Sequence, residues 1–118
     1  MQKSLSIILV AVLMAIAPAT LQAMDLSGTY DATGTNPDGS QYKGTCTITR
    51  ISGDRYRFVW SVGNSYQGEG ELQGTRISVD WGDEQPVIYD VLPDGTLDGT
   101  WAGGKATETL KPQGKGQW

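Results

Sequence analysis

The sequence predicts an all-β protein, a small antiparallel up-and-down β-barrel of about eight strands. Three observations support this fold class. Apolar and polar residues alternate in short runs from Leu26 onwards, which is the period of a half-buried strand. Turn residues separate these runs at nearly even spacing, so hairpin connections suffice. The chain also has 16 glycines and, beyond the leader, no long run of helix-forming residues. An open β-sandwich is the alternative that the same alternation allows.

The first two strands are predicted over residues 26–34 and 40–51, joined by the turn sequence Asn36-Pro37-Asp38-Gly39. Residues 52–54, Ser-Gly-Asp, then turn the chain into the next strand. The inward faces of the two strands are expected to carry Leu26, Gly28, Tyr30, Ala32, Tyr42, Gly44, Cys46 and Ile48.

The clearest hairpin is predicted for residues 55–73, where period-two alternation occurs twice around the turn Gly63-Asn64-Ser65. In the first arm the inward face is apolar and holds Tyr56, Phe58, Trp60 and Val62. In the second arm it holds Tyr66, Gly68, Gly70 and Leu72. The opposite faces are charged or polar, so one side of the hairpin is expected to meet water.

Four further strands are predicted over residues 76–81, 87–92, 96–101 and 106–110, each bounded by Gly, Pro or Asp. The facing of 87–92 stays open, because Asp90 alone marks a polar side. For the other three strands the inward residues are expected to be Ile77, Val79, Trp81, Leu97, Gly99, Trp101, Ala106, Glu108 and Leu110.

Residues 1–23 have the pattern of a secretory signal peptide, with Lys3, an apolar run over 5–17 and small residues at the end. The run is shorter than the ~20 residues of a membrane-spanning helix. Cleavage is expected after Ala23, with Ala19 as the alternative. We therefore expect an exported protein, periplasmic or secreted, with one barrel domain over 24–110 and a flexible tail over 111–118.

Composition narrows the partners that this chain can have. The net charge is −4, and loss of Lys3 with the leader makes it one unit more negative. This charge opposes binding to nucleic acid or to an anionic membrane surface, so neither is expected as a partner. Cys46 is the single cysteine, which excludes an intrachain disulfide. We expect a buried thiol and a monomer, with a covalent dimer through Cys46 as the alternative.

The absence of histidine excludes Ser/His/Asp and Cys/His nucleophilic sites and zinc sites that use imidazole. No cofactor and no metal site is expected, and the protein is predicted not to be an enzyme. The alternative is a carboxylate site among Asp80, Asp83 and Glu84 beside Trp81. A solvated loop is the preferred interpretation of these residues.

Glu108 falls on an inward face between Ala106 and Leu110, where a carboxylate needs polar partners. Tyr30, Tyr42 or backbone amides at the end of the barrel are the expected partners, and a structural role is preferred over a ligand contact. In the alternative interpretation Glu108 belongs to an interior ligand pocket lined by aromatic residues. The candidate ligand-binding residues are Tyr30, Tyr42, Trp60, Trp101 and Glu108, with Tyr56 and Trp81 as further aromatic lining.

Several motifs together resemble a known family. These are GTNPDGSQYKGT at 34–45, Tyr56 with Trp60, GEGEL, PVIYDVLPDGTLDGTW and TETLKP. They are similar to a group of small exported bacterial proteins commonly labelled fibronectin-binding. More distantly, Gly28-Thr29-Tyr30 and Gly99-Thr100-Trp101 are similar to the strand starts of avidin-like and lipocalin-like barrels, although no biotin-contacting residue is matched.

The resemblance implies an exported, non-enzymatic binding module for a host or extracellular matrix protein such as fibronectin. Such binding would use the outer surface of the barrel, where Arg55, Arg57 and Arg76 are the candidate contacts. The alternative is a small-ligand carrier that uses the barrel interior.

Overall fold

The structure, a computed structural model, describes residues 24–114, so the predicted signal peptide over 1–23 and the last residues of the predicted tail, 115–118, lie outside the described residues. It contains eight strands and a 3-10 turn, Ala102–Gly104. The strands are β1 (Gly28–Thr35), β2 (Gln41–Ser52), β3 (Arg55–Ser61), β4 (Ser65–Gln73), β5 (Arg76–Asp80), β6 (Val87–Val91), β7 (Leu97–Trp101) and β8 (Ala106–Pro112).

The strands form one closed antiparallel up-and-down barrel, which confirms the predicted fold class. Each strand pairs with its neighbours in sequence, and β8 returns to pair with β1. This closing seam runs from Tyr30 opposite Pro112 to Thr35 opposite Thr107. An open sandwich is excluded, because the sheet has no free edge. Within 24–114 no helix is long and apolar enough to cross a membrane.

The core is built from the inward faces that period-two alternation predicted. Phe58 is fully buried, and its ring stacks on that of Tyr89 with 5.5 Å between the centroids. The Trp60 ring is tilted against Phe58, with 5.7 Å between the centroids. The facing of β6, which the sequence left open, is now clear: Val87 and Tyr89 are buried and Ile88 is exposed. Cys46 is buried, as expected.

The last strand ends beyond the predicted boundary at Leu110. β8 continues to Pro112, and the backbone N–H of Gln113 donates to the Thr29 carbonyl at 2.9 Å. The Gln113 side-chain amide also donates to Asp31 Oδ1 at 2.7 Å. Lys111 and Pro112 therefore belong to the barrel and not to a tail. Pro112 is compatible with a strand at this point because it lies at the strand end.

The two ends of the barrel differ. At one, which we call the covered end, residues 24–27 lie across the opening and bury Leu26. The Tyr30 hydroxyl donates to the Leu26 carbonyl at 2.7 Å, and Arg50 donates to the Tyr56 hydroxyl at 2.8 Å. The opposite end, the open end, carries the turns that follow β1, β3, β5 and β7. It is here that a cavity enters the barrel.

Candidate functional site

A cavity of about 360 Å³ occupies the open end of the barrel. Four of the five candidate ligand-binding residues line it, namely Tyr42, Trp60, Trp101 and Glu108. Trp81 joins them as predicted further lining. A cavity of this size is within the range of small-molecule sites, which is ~300–1,000 Å³.

Glu108 is the polar centre of the cavity, and two glycines give its partners access to it. Gly34 on β1 lies opposite both Tyr42 on β2 and Glu108 on β8. On the other side, Gly99 on β7 lies opposite both Glu108 and Tyr89 on β6. The five residues therefore form one row across five adjacent strands, with a glycine on each side of the carboxyl group.

The missing side chains of these glycines leave space for the tyrosine rings. A Cβ on Gly34 would overlap the ring and hydroxyl of Tyr42, and a Cβ on Gly99 would lie 2.5 Å from Tyr89 Cδ1. Real carbon atoms do not approach so closely, so a larger residue would displace the ring. Each glycine thus lets a tyrosine two strands away reach Glu108.

Three donors converge on the Glu108 carboxyl group, whose residue is only 5% exposed. The Tyr42 hydroxyl donates to Oε1 at 2.9 Å, and the Trp60 indole N–H donates to Oε2 at 2.9 Å. The Tyr89 hydroxyl makes a short hydrogen bond to Oε2 as well. In the described part of the chain every buried side-chain N or O atom has a partner, as the cost of desolvation requires.

The network sets the protonation of its members. Burial raises the pKa of Glu108, and hydrogen bonds from Tyr89, Tyr42 and Trp60 offset part of that rise. Burial and the nearby charge of Glu108 raise the pKa of Tyr42 and of Tyr89, so both hydroxyls keep their protons and remain donors. The same two causes raise the pKa of the Cys46 thiol, which makes it a poor nucleophile.

Glu108→Gln is expected to change how stability depends on pH. The folded protein holds the Glu108 proton more tightly than the unfolded chain, whose pKa is the ordinary 4.5. The resulting stabilisation is complete below pH 4.5 and is lost as pH rises through the folded pKa. Urea unfolding at several pH values should show the wild type losing stability relative to the variant over this window. Glu71→Gln, on the exposed face of β4, is the control. A gain by the wild type with rising pH would contradict the assignment.

Four rings form what we call the aromatic belt at the mouth: Tyr66, Trp81, Trp101 and Tyr42. Consecutive rings meet edge to face, with centroids 5.7 Å, 6.0 Å and 6.3 Å apart. The Trp81 indole N–H donates to the Gln85 carbonyl at 3.0 Å, and that of Trp101 to the Thr107 carbonyl at 3.3 Å. Both indoles therefore offer ring surface to the cavity, since their polar N–H groups are engaged elsewhere.

Tyr30 and Tyr56 do not belong to this site. Both are buried at the covered end, where Tyr30 bonds to the Leu26 carbonyl, and Tyr30 is not a partner of Glu108. Of the expected partners of Glu108 only Tyr42 is correct, and Tyr89 and Trp60 complete the set. The sequence also missed Tyr66 as a pocket residue: it is 41% exposed and lies in the belt rather than the core.

The candidate protein-binding arginines lie on the outer face of the barrel in ion pairs. Arg55 and Arg57 both pair with Glu69, with N···O distances of 3.2 Å and 3.0 Å. Arg76 pairs with Asp90 at 3.0 Å. These guanidinium groups are exposed, but each has an acidic partner on its own sheet.

The residues of the predicted alternative carboxylate site lie at the end of β5 and in the loop that follows it. Asp80, Asp83 and Glu84 are exposed, and Asp80 caps the turn by accepting a hydrogen bond from the Gly82 N–H at 3.0 Å. Over residues 24–114 no group of three acidic or cysteine side chains could hold a metal ion.

Comparison with known proteins supports the fold alone. No protein family and no curated protein matches the chain. A solved structure described as a redesigned β-barrel is similar, with a TM-score of 0.55 and 22% sequence identity. The match covers 75% of this chain and 91% of the redesigned barrel. At this identity the likeness is one of architecture.

Proposed function

We propose that this protein binds a small organic molecule in the open end of its barrel. The observation that carries the proposal is the cavity of about 360 Å³, in which an aromatic belt surrounds one buried carboxyl group. Mostly apolar walls with few fixed polar groups are typical of small-molecule sites. Hydrogen bonds from Tyr42, Trp60 and Tyr89 hold the Glu108 carboxyl group in a fixed position, which reduces the entropy that binding would cost.

The interior is favoured over the outer surface as the binding site. The surface arginines are engaged with Glu69 and Asp90, so an acidic partner would have to compete with contacts already made. Charged outer faces of this kind are common in small β-barrels and carry little information about a partner. We therefore favour the cavity over a contact of the outer face with a matrix protein such as fibronectin.

Binding without turnover fits the chemistry of the site. Glu108 is the single acidic side chain among the described residues that line the cavity, whereas acid/base hydrolysis of a sugar needs two carboxyl groups. Together with the leader predicted for residues 1–23, this supports a carrier or receptor that meets its ligand outside the cytoplasm.

The proposal is tested with a neutral fluorescent probe, N-phenyl-1-naphthylamine, which brightens in apolar surroundings. Asn64 lies at the mouth of the cavity, so Asn64→Trp is expected to obstruct entry and to weaken probe binding about ten-fold or more. Ile51→Trp is the matched control, because Ile51 is exposed near the covered end. In isotope-labelled protein, the NMR signals of the Trp81 and Trp101 indole N–H groups should shift when the probe binds.

Two results would contradict the proposal. One is equal loss of binding in Asn64→Trp and Ile51→Trp, which would place the probe elsewhere. The other is no uptake by the wild type at any probe concentration that stays in solution.

A further inference from the structure

Four of the hydrogen-bond donors that line the cavity are already engaged. The Tyr42 hydroxyl and Trp60 indole donate to Glu108, and the Trp81 and Trp101 indoles donate to backbone carbonyls. No lysine or arginine is among the described residues that line the cavity. An anionic ligand such as a carboxylate or phosphate would therefore find no cation to pair with.

The Glu108 carboxylate, in contrast, can accept a further hydrogen bond. A carboxylate has about four lone-pair positions, and three donors reach Glu108. Among the described residues, Oε1 accepts a hydrogen bond from Tyr42 alone, while Oε2 accepts from Trp60 and Tyr89. The ion pairs in residues 24–114 join Arg55, Arg57 and Arg76 to other acids, so none balances Glu108. In the part of the chain that the structure describes, no cationic side chain forms an ion pair with this buried carboxylate.

The aromatic belt supplies the other half of a cation site. Aromatic rings attract organic cations to their faces, and the attraction is stronger where the contact is shielded from water. Trp81, Trp101 and Tyr42 surround the same cavity as the carboxyl group. The net charge of −4 over the whole chain adds a field that attracts cations.

The geometry points to an organic ammonium ion as the ligand, held between the aromatic belt and the Glu108 carboxylate. This inference rests on the proposed function, because it names the chemical class that the same cavity takes. A protonated amine would also donate an N–H to Glu108 Oε1, whereas a quaternary ammonium would bind through charge and ring contacts alone. The two forms share the positive charge, and separate probes distinguish them.

Binding of such a cation is coupled to the protonation of Glu108. The titratable groups that face Glu108 are Tyr42 and Cys46 from β2 and Tyr89 from β6, and all three stay neutral because burial and Glu108 raise their pKa. Affinity for the cation should therefore rise with pH through the pKa of Glu108 and then level off.

The experiment uses pairs of probes that have nearly the same shape and differ in charge. Choline is compared with 3,3-dimethylbutan-1-ol, and benzylammonium with benzyl alcohol. Each probe is titrated into the protein while the NMR signals of the Trp81 and Trp101 indole N–H groups are followed. In the wild type the charged member of at least one pair should bind about ten-fold more tightly than the neutral member. The pair that shows the preference identifies the form of ammonium.

Two variants assign the preference to the site. Glu108→Gln should bring the charged and neutral probes to nearly equal affinity, and Trp81→Leu should weaken the cation several-fold while leaving the carboxyl group in place. Glu69→Gln, an exposed carboxylate on β4, is the control and should leave the preference unchanged. Uptake of N-phenyl-1-naphthylamine by each variant verifies that its barrel is folded.

The outcomes separate this inference from the proposed function. Equal binding of charged and neutral probes by the wild type, or uptake of the neutral dye without binding of either cation, would overturn the ammonium assignment and leave a small-molecule site. Failure of the dye and of all four probes to bind would overturn both.

Discussion

Phe58→Ala is expected to lower the free energy of unfolding by about 3–5 kcal/mol, the usual cost of removing a buried aromatic ring. Phe58 is fully buried between Tyr89 and Trp60, so the truncation would leave a cavity at the centre of the barrel. Domains of this size are stabilised by only ~5–15 kcal/mol in total. Urea unfolding followed by circular dichroism measures the loss.

The neighbouring residue provides the control. Val59 is on the outward face of β3 and is 41% exposed, so Val59→Ala should cost no more than about 1 kcal/mol. Similar losses in the two variants would mean that β3 does not place alternate side chains inside and outside the barrel.

Gly44→Ala is expected to destabilise the barrel by about 1–3 kcal/mol or more, because it overpacks a contact between two backbones. A Cβ at this position would overlap the Ser61 carbonyl oxygen and lie 2.9 Å from Val62 Cα. Backbone atoms cannot rotate aside as the end of a side chain can, so β3 itself would have to move. Denaturant unfolding measures the loss, and indole signals from the cavity should shift too, since Val62 lines it.

Lys43→Ala serves as the control for this substitution. Lys43 is the preceding residue of β2 and is exposed, so its truncation should have little effect on stability. Wild-type stability in Gly44→Ala would show that β2 and β3 can separate at this point without cost.

The alternation of side chains made the fold predictable because one physical rule governs it: a strand at a barrel wall must bury every second residue. That rule placed Phe58 in the core and Glu108 inside among apolar neighbours, and it predicted a carboxyl group in need of partners. Facing is a local property of each strand, so it can be read without knowledge of the rest of the chain.

Position along the barrel axis is not local, and here the sequence interpretation was wrong. Tyr30 and Tyr42 both face inward, yet they lie at opposite ends of the barrel, because the register between strands decides which inward residues meet. Tyr89 was missed as a partner of Glu108 for a different reason. Its strand has apolar residues on both faces, so alternation did not show which side was buried.

The roles of Gly34 and Gly99 also depend on register. Gly99 was expected inside, but only the pairing of β7 with β6 and β8 shows that it lies between Tyr89 and Glu108. The composition of the cavity was thus largely predictable, while its hydrogen-bond network was not.

The seam between β1 and β8 has a consequence for how the barrel is made. The other strand pairs are hairpins that close short loops, whereas this pair joins residues such as Tyr30 and Pro112 from the two ends of the domain. Contacts of such high sequence separation form late in folding, so one edge of β1 stays unpaired until β8 has formed. During that interval the unpaired edge of β1 can pair with β8 from another chain instead. Refolding at high protein concentration would then yield strand-swapped dimers.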